Sequence, residues 1–349
     1  MSAGAGAAIF GCAGAVLGAD EAAFYREADP FGFILFARNV ENPAQLRRLT
    51  GDLREAVGWQ VPVFVDQEGG RVQRLRGPHW REWLPPLDQV RRAMAGAGPG
   101  QGPQAAARAL WLRYRIIAAE LQAVGIDGNC APCVDVLTAD THPFLKNRCY
   151  GDDAATVAQL ATAVVAAHLA GGVLPVMKHI PGHGRAVADS HLGLPVVDTD
   201  ARTLFETDFL VFGLLVQSAM PPLAMTAHVV YPAIDRDQPA TTSAAIIALI
   251  RNRIGFDGLL LSDDLSMQAL SGDIGERAAA ALAAGCDIAL YCKGDLAEMR
   301  AVATAAGRMP PASLARARTA LAARRPAEAV DIAALAAELS SLPSGQGDV

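Results

Sequence analysis

The chain carries no basic run, and its formal net charge over 349 residues is -6. That balance excludes the cationic footprint of a nucleic-acid binder and the polybasic anchor of a membrane-surface protein. Residues Met1 to Ala8 have neither basic groups nor an apolar core, so no secretory signal is expected there. There is no internal repeat and no sign of a second core. Cys130 and Cys133 form a lone CxxC without a second pair at zinc-finger spacing. This argues against a structural zinc and for buried free thiols in a reducing compartment. Two stretches, 154–177 and 209–234, lack Asp, Glu, Lys and Arg and have the length of a membrane span. Gly171-Gly172 and Pro175 break the first and Pro221-Pro222 the second, so each is expected to be a helix, a turn and a buried strand. A cytoplasmic enzyme is expected, with no membrane or nucleic-acid partner, acting as a monomer or weak homodimer.

What the chain does have is a regular alternation of short apolar runs and helical patterns, as in a sheet built from βαβ units. The runs are 8–11, 32–36, 61–65, 125–131, 173–177, 223–226, 259–262 and 287–291. Eight such strands close a barrel. Helical patterns fall at 42–57, 105–124, 154–170, 201–218, 244–254 and 278–284. Titratable groups follow most of the strands: Arg38, Asp66, Asp135, Lys178-His179, His228 and Asp263. A doubly wound sheet concentrates its ligands at one switch point, whereas a (β/α)8 barrel gathers residues from nearly every strand end. The expected fold is therefore α/β, a single-domain TIM-type barrel over 1–349. A flexible Gly/Pro/Ala insert is expected near 94–104 and a frayed tail after about 340.

Of only seven histidines, three lie in one segment, Lys178-His179-Ile180-Pro181-Gly182-His183-Gly184 followed by Asp189-Ser190-His191. Its proline and glycines predict a shaped loop instead of a helix. Asp189 and His191 are spaced so that the carboxylate can hold an imidazole nitrogen and make the ring a proton shuttle. Asp66 ends a strand before the Gly69-Gly70 turn and can accept bonds from sugar hydroxyls, with Arg74 as a clamp for a carboxylate or acetamide oxygen. Asp263 and Asp264 follow a leucine run. Because adjacent strand residues face opposite ways, one acid is expected to face the barrel mouth and the other to brace the loop or cap a helix. A carboxylate held ionised at the mouth can attack an anomeric carbon.

The segments GFILFARN (32–39), VDQEGGRVQR (65–74), KHIPGHG with DSH (178–191), MTAHV (225–229) and SDDLSM (262–267) resemble the glycoside hydrolase family 3 β-N-acetylglucosaminidases. The resemblance is to the single-domain bacterial type that recycles cell-wall muropeptides, and it runs from about residue 9 to 292. It implies a retaining two-step mechanism with Asp263 as nucleophile and His191, paired with Asp189, as general acid/base. It also implies sugar contacts from Asp66, Arg74, Arg148, Lys178 and His179, GlcNAc-anhydro-muropeptides as small-molecule substrates, and no cofactor or metal. The chain departs from the family pattern at 144–151 around Arg148 and at 185–188 after the PGHG motif. A metal-dependent amidohydrolase would use His179, His191, His228, Lys178 and Asp263, but the first strand lacks the His-x-His pair that such a site needs. A sugar-binding relative would be expected to lose the nucleophile or the dyad, both of which are present. A phosphorylase on the same scaffold stays open.

Overall fold

The structure, a computed structural model, describes residues 5–190 and 193–342. Eight parallel strands close into a barrel: β1 (Gly6–Gly11), β2 (Pro30–Leu35), β3 (Val63–Val65), β4 (Gly128–Asn129), β5 (Leu174–Ile180), β6 (Leu223–Thr226), β7 (Leu259–Asp264) and β8 (Ile288–Tyr291). β8 pairs with β1, which closes the ring. A helix follows each strand: α1 (Ala19–Ala28), α2 (Pro43–Val57), α3 (Gly102–Gln122), α4 (Ala154–Ala170), α5 (Leu210–Ala219), α6 (Ala244–Leu249), α7 (Ile274–Ala284) and α8 (Leu296–Ala306). Each of the eight apolar runs overlaps a barrel strand, and the TIM-type expectation holds.

The runs are apolar throughout because both faces of each strand are buried. Ile9, Phe64, Val176, Leu259, Leu261 and Leu290 fill the barrel interior, while Phe10, Val63, Val65 and Leu260 pack outward under the helices. This alternation also sets the site. Stepping two residues at a time from Phe64 leads to Asp66, from Val176 to Lys178, and from Leu261 to Asp263, so these polar side chains continue the inward rows at the C-terminal mouth.

Three sequence expectations need correction. Lys178, His179 and Ile180 belong to β5 and not to a loop. The strand is prolonged because the Val134 and Lys178 backbones pair, with Val134 N–H donating to the Lys178 carbonyl at 2.6 Å and Lys178 N–H to that of Pro132 at 3.0 Å. The single helix expected at 201–218 is split into Ala201–Glu206 and α5, because Thr207 and Asp208 turn to bind Arg185 (3.1 and 2.6 Å). No helix is capped by Asp264, since α7 begins at Ile274 with Asp273 as its cap. Within 94–104, one helix ends at Gly96 and α3 begins at Gly102. The tail beyond residue 342 and His191 both lie outside the described residues. No described helix is long and apolar enough to cross a membrane.

A buried histidine ties the helical layer to the barrel. His168 of α4 donates Nδ1–H to the Val164 carbonyl (2.8 Å), so its Nε2 accepts from Asn129 Nδ2 (2.9 Å) on β4. The Asn129 amide is oriented by the Gln67 N–H, which donates to its Oδ1 at 2.9 Å. Protonation would aim a second N–H at that amide donor, and burial lowers the His168 pKa from 6.5 to about 4. A depressed pKa contributes stability that is complete above pH 6.5 and is lost as the pH falls through about 4. His168→Gln should therefore shrink the stability difference between pH 7 and pH 5 by about 2 kcal/mol. Urea unfolding at the two pH values measures this, and an undiminished slope would contradict it.

Candidate active site

The mouth of the barrel holds a cavity of about 280 Å³, lined among others by Asp66, Arg74, Arg148, Lys178, His179 and Asp263. All five residues expected to touch sugar and the expected nucleophile thus meet in one place. Asp189 precedes Ser190, which lines the cavity, and is half-buried without lining it itself.

Two carboxylates and three cations form the floor. Lys178 Nζ lies 2.8 Å from Asp66 Oδ1 and 2.6 Å from Glu68 Oε1. Arg148 holds Glu68 in a bidentate pair (3.0 and 2.8 Å), and Arg74 reaches Asp66 Oδ2 at 3.1 Å. Burial alone would raise both carboxyl groups. Lys178 and Arg74 outweigh it at Asp66, which is held well below the usual range, and Arg148 with Lys178 pulls Glu68 down to about 2. Burial likewise opposes the Lys178 charge, but the two carboxylates raise its pKa above the ordinary value. The cluster is ionised across the neutral range and retains one positive charge in surplus.

The turn that carries Arg74 is set by the glycines before it. Gly69 has φ +108°, and a Cβ there would meet Arg113 Nη2 at 1.8 Å. Gln67 then pins the return strand, accepting from the N–H groups of Arg74 (2.9 Å) and Leu75 (3.1 Å). The glycines of the PGHG motif have a parallel cause. A Cβ on Gly184 would lie 1.8 Å from the Val136 carbonyl oxygen. This close backbone approach lets Asp135 reach over and accept the His183 N–H at 2.6 Å.

Asp135 also organises His179. Its Oδ2 lies 2.7 Å from His179 Nδ1, so this nitrogen carries the proton and Nε2 turns its lone pair toward the cavity, 3.5 Å from Arg148 Nη2. Burial raises the Asp135 carboxyl, but His179 outweighs it and keeps the group ionised. Cys133, Asp135 and His179 place potential ligand atoms within 4.8 Å of one another. Cys133 Sγ and His179 Nδ1 both donate to Asp135 Oδ2 (3.3 and 2.7 Å), so the three groups satisfy each other and do not converge on an open position. His228, which the amidohydrolase reading required, is committed as well. Its Nε2 donates to the Asp264 carbonyl (3.1 Å) and its Nδ1 accepts from Thr241 Oγ1 (2.7 Å).

The two acids after the leucine run divide as strand alternation expects. Asp264 braces the loop, accepting from Ser266 N–H (3.0 Å), Ser266 Oγ (2.6 Å) and Cys292 N–H (3.2 Å). Among the described residues Asp263 accepts only the Asp264 N–H, at 2.7 Å. Among the described residues it is the cavity carboxylate without a side-chain partner. Burial raises its pKa, but His228, His179, the Asp264 amide and Lys178 together bring it below the ordinary value. An ionised carboxylate with open lone pairs, beside a rigid polar floor, is the arrangement a glycosidic nucleophile needs.

Residues 27–321 match the model of the glycosyl hydrolase family 3 N terminal domain. The chain belongs to glycoside hydrolase family 3. It is 40% identical over 271 residues to the beta-hexosaminidase of Bordetella avium (strain 197N), covering 76% of this chain and 75% of that protein. It is 36% identical over 321 residues to the beta-hexosaminidase of Pseudomonas aeruginosa (strain UCBPP-PA14), covering 90% and 91%. The fold is similar to a family 3 beta-N-acetylglucosaminidase from Paenibacillus sp. str. FPU-7, with TM-score 0.83 and 28% identity over 97% of this chain and 67% of the other. NagZ from Neisseria gonorrhoeae in complex with N-trifluoroacetyl-D-glucosamine aligns with TM-score 0.80 and 30% identity, covering 97% and 94%.

In this family 3 hydrolase, sequence reasoning left four cavity-related residues unassigned. Glu68 stands two residues after Asp66, so the same alternation that points Asp66 inward points it inward too. Asp135 was visible as a strand-end acid without a role. His183 lies inside the quoted motif; burial lowers its pKa to about 4, its Nε2 lies 3.3 Å from Ser190 Oγ, and its Nδ1 is buried without a partner among the described residues. Phe144 had no sequence signal and became visible only when the 144–151 segment folded over the mouth.

Proposed function

We propose that the enzyme is a retaining β-N-acetylhexosaminidase that removes terminal β-linked N-acetylglucosamine from small glycosides, peptidoglycan-derived muropeptides among them, in the cytoplasm. The observation that carries this reading is Asp263, an ionised carboxylate at the mouth that lacks a side-chain partner among the described residues, beside the Asp66–Lys178–Glu68–Arg148 floor. In the first step an Asp263 oxygen bonds to the anomeric carbon as the bond to the aglycone oxygen breaks. His191, which the sequence pairs with Asp189, gives that oxygen its proton. In the second step water attacks the glycosyl ester, His191 takes the water proton, and the carboxylate is released. Asp66, Arg74, Arg148, Lys178 and His179 hold the sugar through its hydroxyl and acetamide groups.

The first test is nitrophenol release from an aryl β-N-acetylglucosaminide by the wild type, with chelator present throughout. Turnover supports metal-free glycosidase chemistry, and its absence would sink the reading. The role of His191 has a separate signature, because only poor leaving groups need a proton. His191→Ala is expected to lower kcat/KM by about 10²–10⁴-fold for a disaccharide but far less for a nitrophenyl glycoside. Equal losses on both substrates would remove His191 from the acid role.

A further inference from the structure

From Leu261 to Asp264 β7 takes three residue steps, while β8 takes two between their partners Ile288 and Leu290. One extra residue therefore lies between the paired positions, and the strand bulges at Ser262 and Asp263. A bulge re-aims a side chain but interrupts the ladder that would hold it. β8 compensates on its own side. The Leu290 N–H donates to Ser262 Oγ (2.9 Å), the Leu290 carbonyl accepts the Leu265 N–H (2.9 Å), and the Cys292 N–H donates to the Asp264 carboxylate (3.2 Å). On the opposite side the last paired residues of β7 and β6 are Leu261 and Met225. Beyond them His228 Nε2 donates to the Asp264 carbonyl at 3.1 Å, so a side chain continues the edge where the backbone ladder stops.

His228 follows β6 in the MTAHV segment and takes no part in the chemistry above. It is fully buried and is not one of the residues lining the cavity, so its route to the reaction runs through Asp264 and not through the substrate. Two buried hydroxyls fix its ring. With Nε2 donating, Nδ1 carries the lone pair and accepts from Thr241 Oγ1 (2.7 Å). That spends the Thr241 proton, so Thr226 Oγ1, 2.8 Å away, donates to Thr241 in turn. Burial holds the His228 pKa below the ordinary value, which favours this neutral form. The run of donors from Thr226 through Thr241 and His228 thus ends on Asp264, the residue whose own N–H donates to the Asp263 carboxylate at 2.7 Å. Each link in such a buried chain polarises and orients the next.

We propose that His228, oriented by Thr241, is a positioning residue that fixes Asp264 and through it aims the Asp263 carboxylate at the anomeric carbon. This rests on the glycosidase reading above and adds to it the means by which a bulged strand end holds its nucleophile. The test measures kcat on a nitrophenyl β-N-acetylglucosaminide, the Ki of N-acetylglucosamine as a gauge of the floor, and thermal unfolding. His228→Leu is expected to lower kcat by about 100-fold, the loss that a displacement of about 1 Å causes. The Ki should stay within about threefold of the wild type, because the floor is untouched. His228→Gln, whose amide nitrogen can take the place of Nε2, should recover at least about tenfold of the loss. Thr241→Val should cost less than His228→Leu, and the double variant should be no slower than His228→Leu alone, since the hydroxyl acts through the ring. A near-wild-type kcat in His228→Leu overturns the proposal. A Ki that rises as far as kcat falls, or no recovery in His228→Gln, also overturns it, since either marks a merely structural role. Additive losses in the double variant overturn the part given to Thr241. Should His228→Leu fail to fold, Thr241→Val decides: a lowered kcat at unchanged Ki is expected, and an unchanged kcat overturns the proposal. A wild type that releases no nitrophenol is a separate result, which removes the glycosidase reading itself.

Discussion

Asp263→Ala is expected to lower kcat/KM on an aryl β-N-acetylglucosaminide by roughly 10⁴-fold or more while leaving the barrel folded. The size of the loss follows from its task. In the proposed mechanism no covalent intermediate forms without the carboxylate, and the remaining floor can only hold the sugar. The preserved fold follows from the geometry, because among the described residues the side chain accepts one hydrogen bond, from the N–H of the next residue, and supports no ion pair. Its removal leaves no buried cation stranded, so the change in stability should stay within about 1 kcal/mol. Thermal unfolding of both forms alongside kcat/KM checks the two halves of the expectation. Wild-type turnover by the variant would mean another group attacks the anomeric carbon.

Glu68→Gln is expected to have the opposite profile, with a large cost in stability as well as activity. Glu68 is fully buried and closes ion pairs with both Arg148 and Lys178. The amide has nearly the same shape but no charge, so two buried cations lose their counter-ion, a defect that costs on the order of 3–5 kcal/mol. The pH dependence gives a second readout. With a folded pKa of about 2 against an ordinary 4.5, Glu68 contributes stability that is complete above pH 4.5 and is lost as the pH falls through about 2. Glu68→Gln should therefore weaken the acid sensitivity below pH 4.5 as well as lower the stability at pH 7. Denaturant unfolding at pH 7 and pH 3 measures both, and a variant as stable as the wild type at pH 7 would show that Arg148 and Lys178 do not depend on this carboxylate.

Much of this enzyme was legible before folding because the relevant patterns are local. Each barrel strand is buried on both faces, which writes a short apolar run into the chain, and the polar residue that ends the run marks the catalytic mouth. Two-residue alternation carried Asp66, Lys178 and Asp263 to the same side of the sheet from their neighbours alone. Local patterns failed where a distant backbone intervened. Lys178 and His179 are followed by proline and glycine, yet they extend β5 because Pro132 and Val134 offer them partners. The helix expected through 207–209 breaks because Arg185, more than twenty residues earlier, binds Asp208 there.

The sequence by itself determined the barrel, its helical layer and the set of chemical groups at its mouth, since apolar periodicity and strand-end chemistry act within a few residues. The tertiary structure decided which of those groups remains available for chemistry. Lys178 meets Asp66 across 112 residues, and Arg148 meets Glu68 across 80. Those contacts exist only once the ring has closed. Charge–charge attraction in a buried site depends on ångström separations that chain spacing does not encode. Closure thus commits Asp66 and Glu68 to cations and Asp264 to its loop, and among the described residues leaves Asp263 as the cavity carboxylate without a side-chain partner.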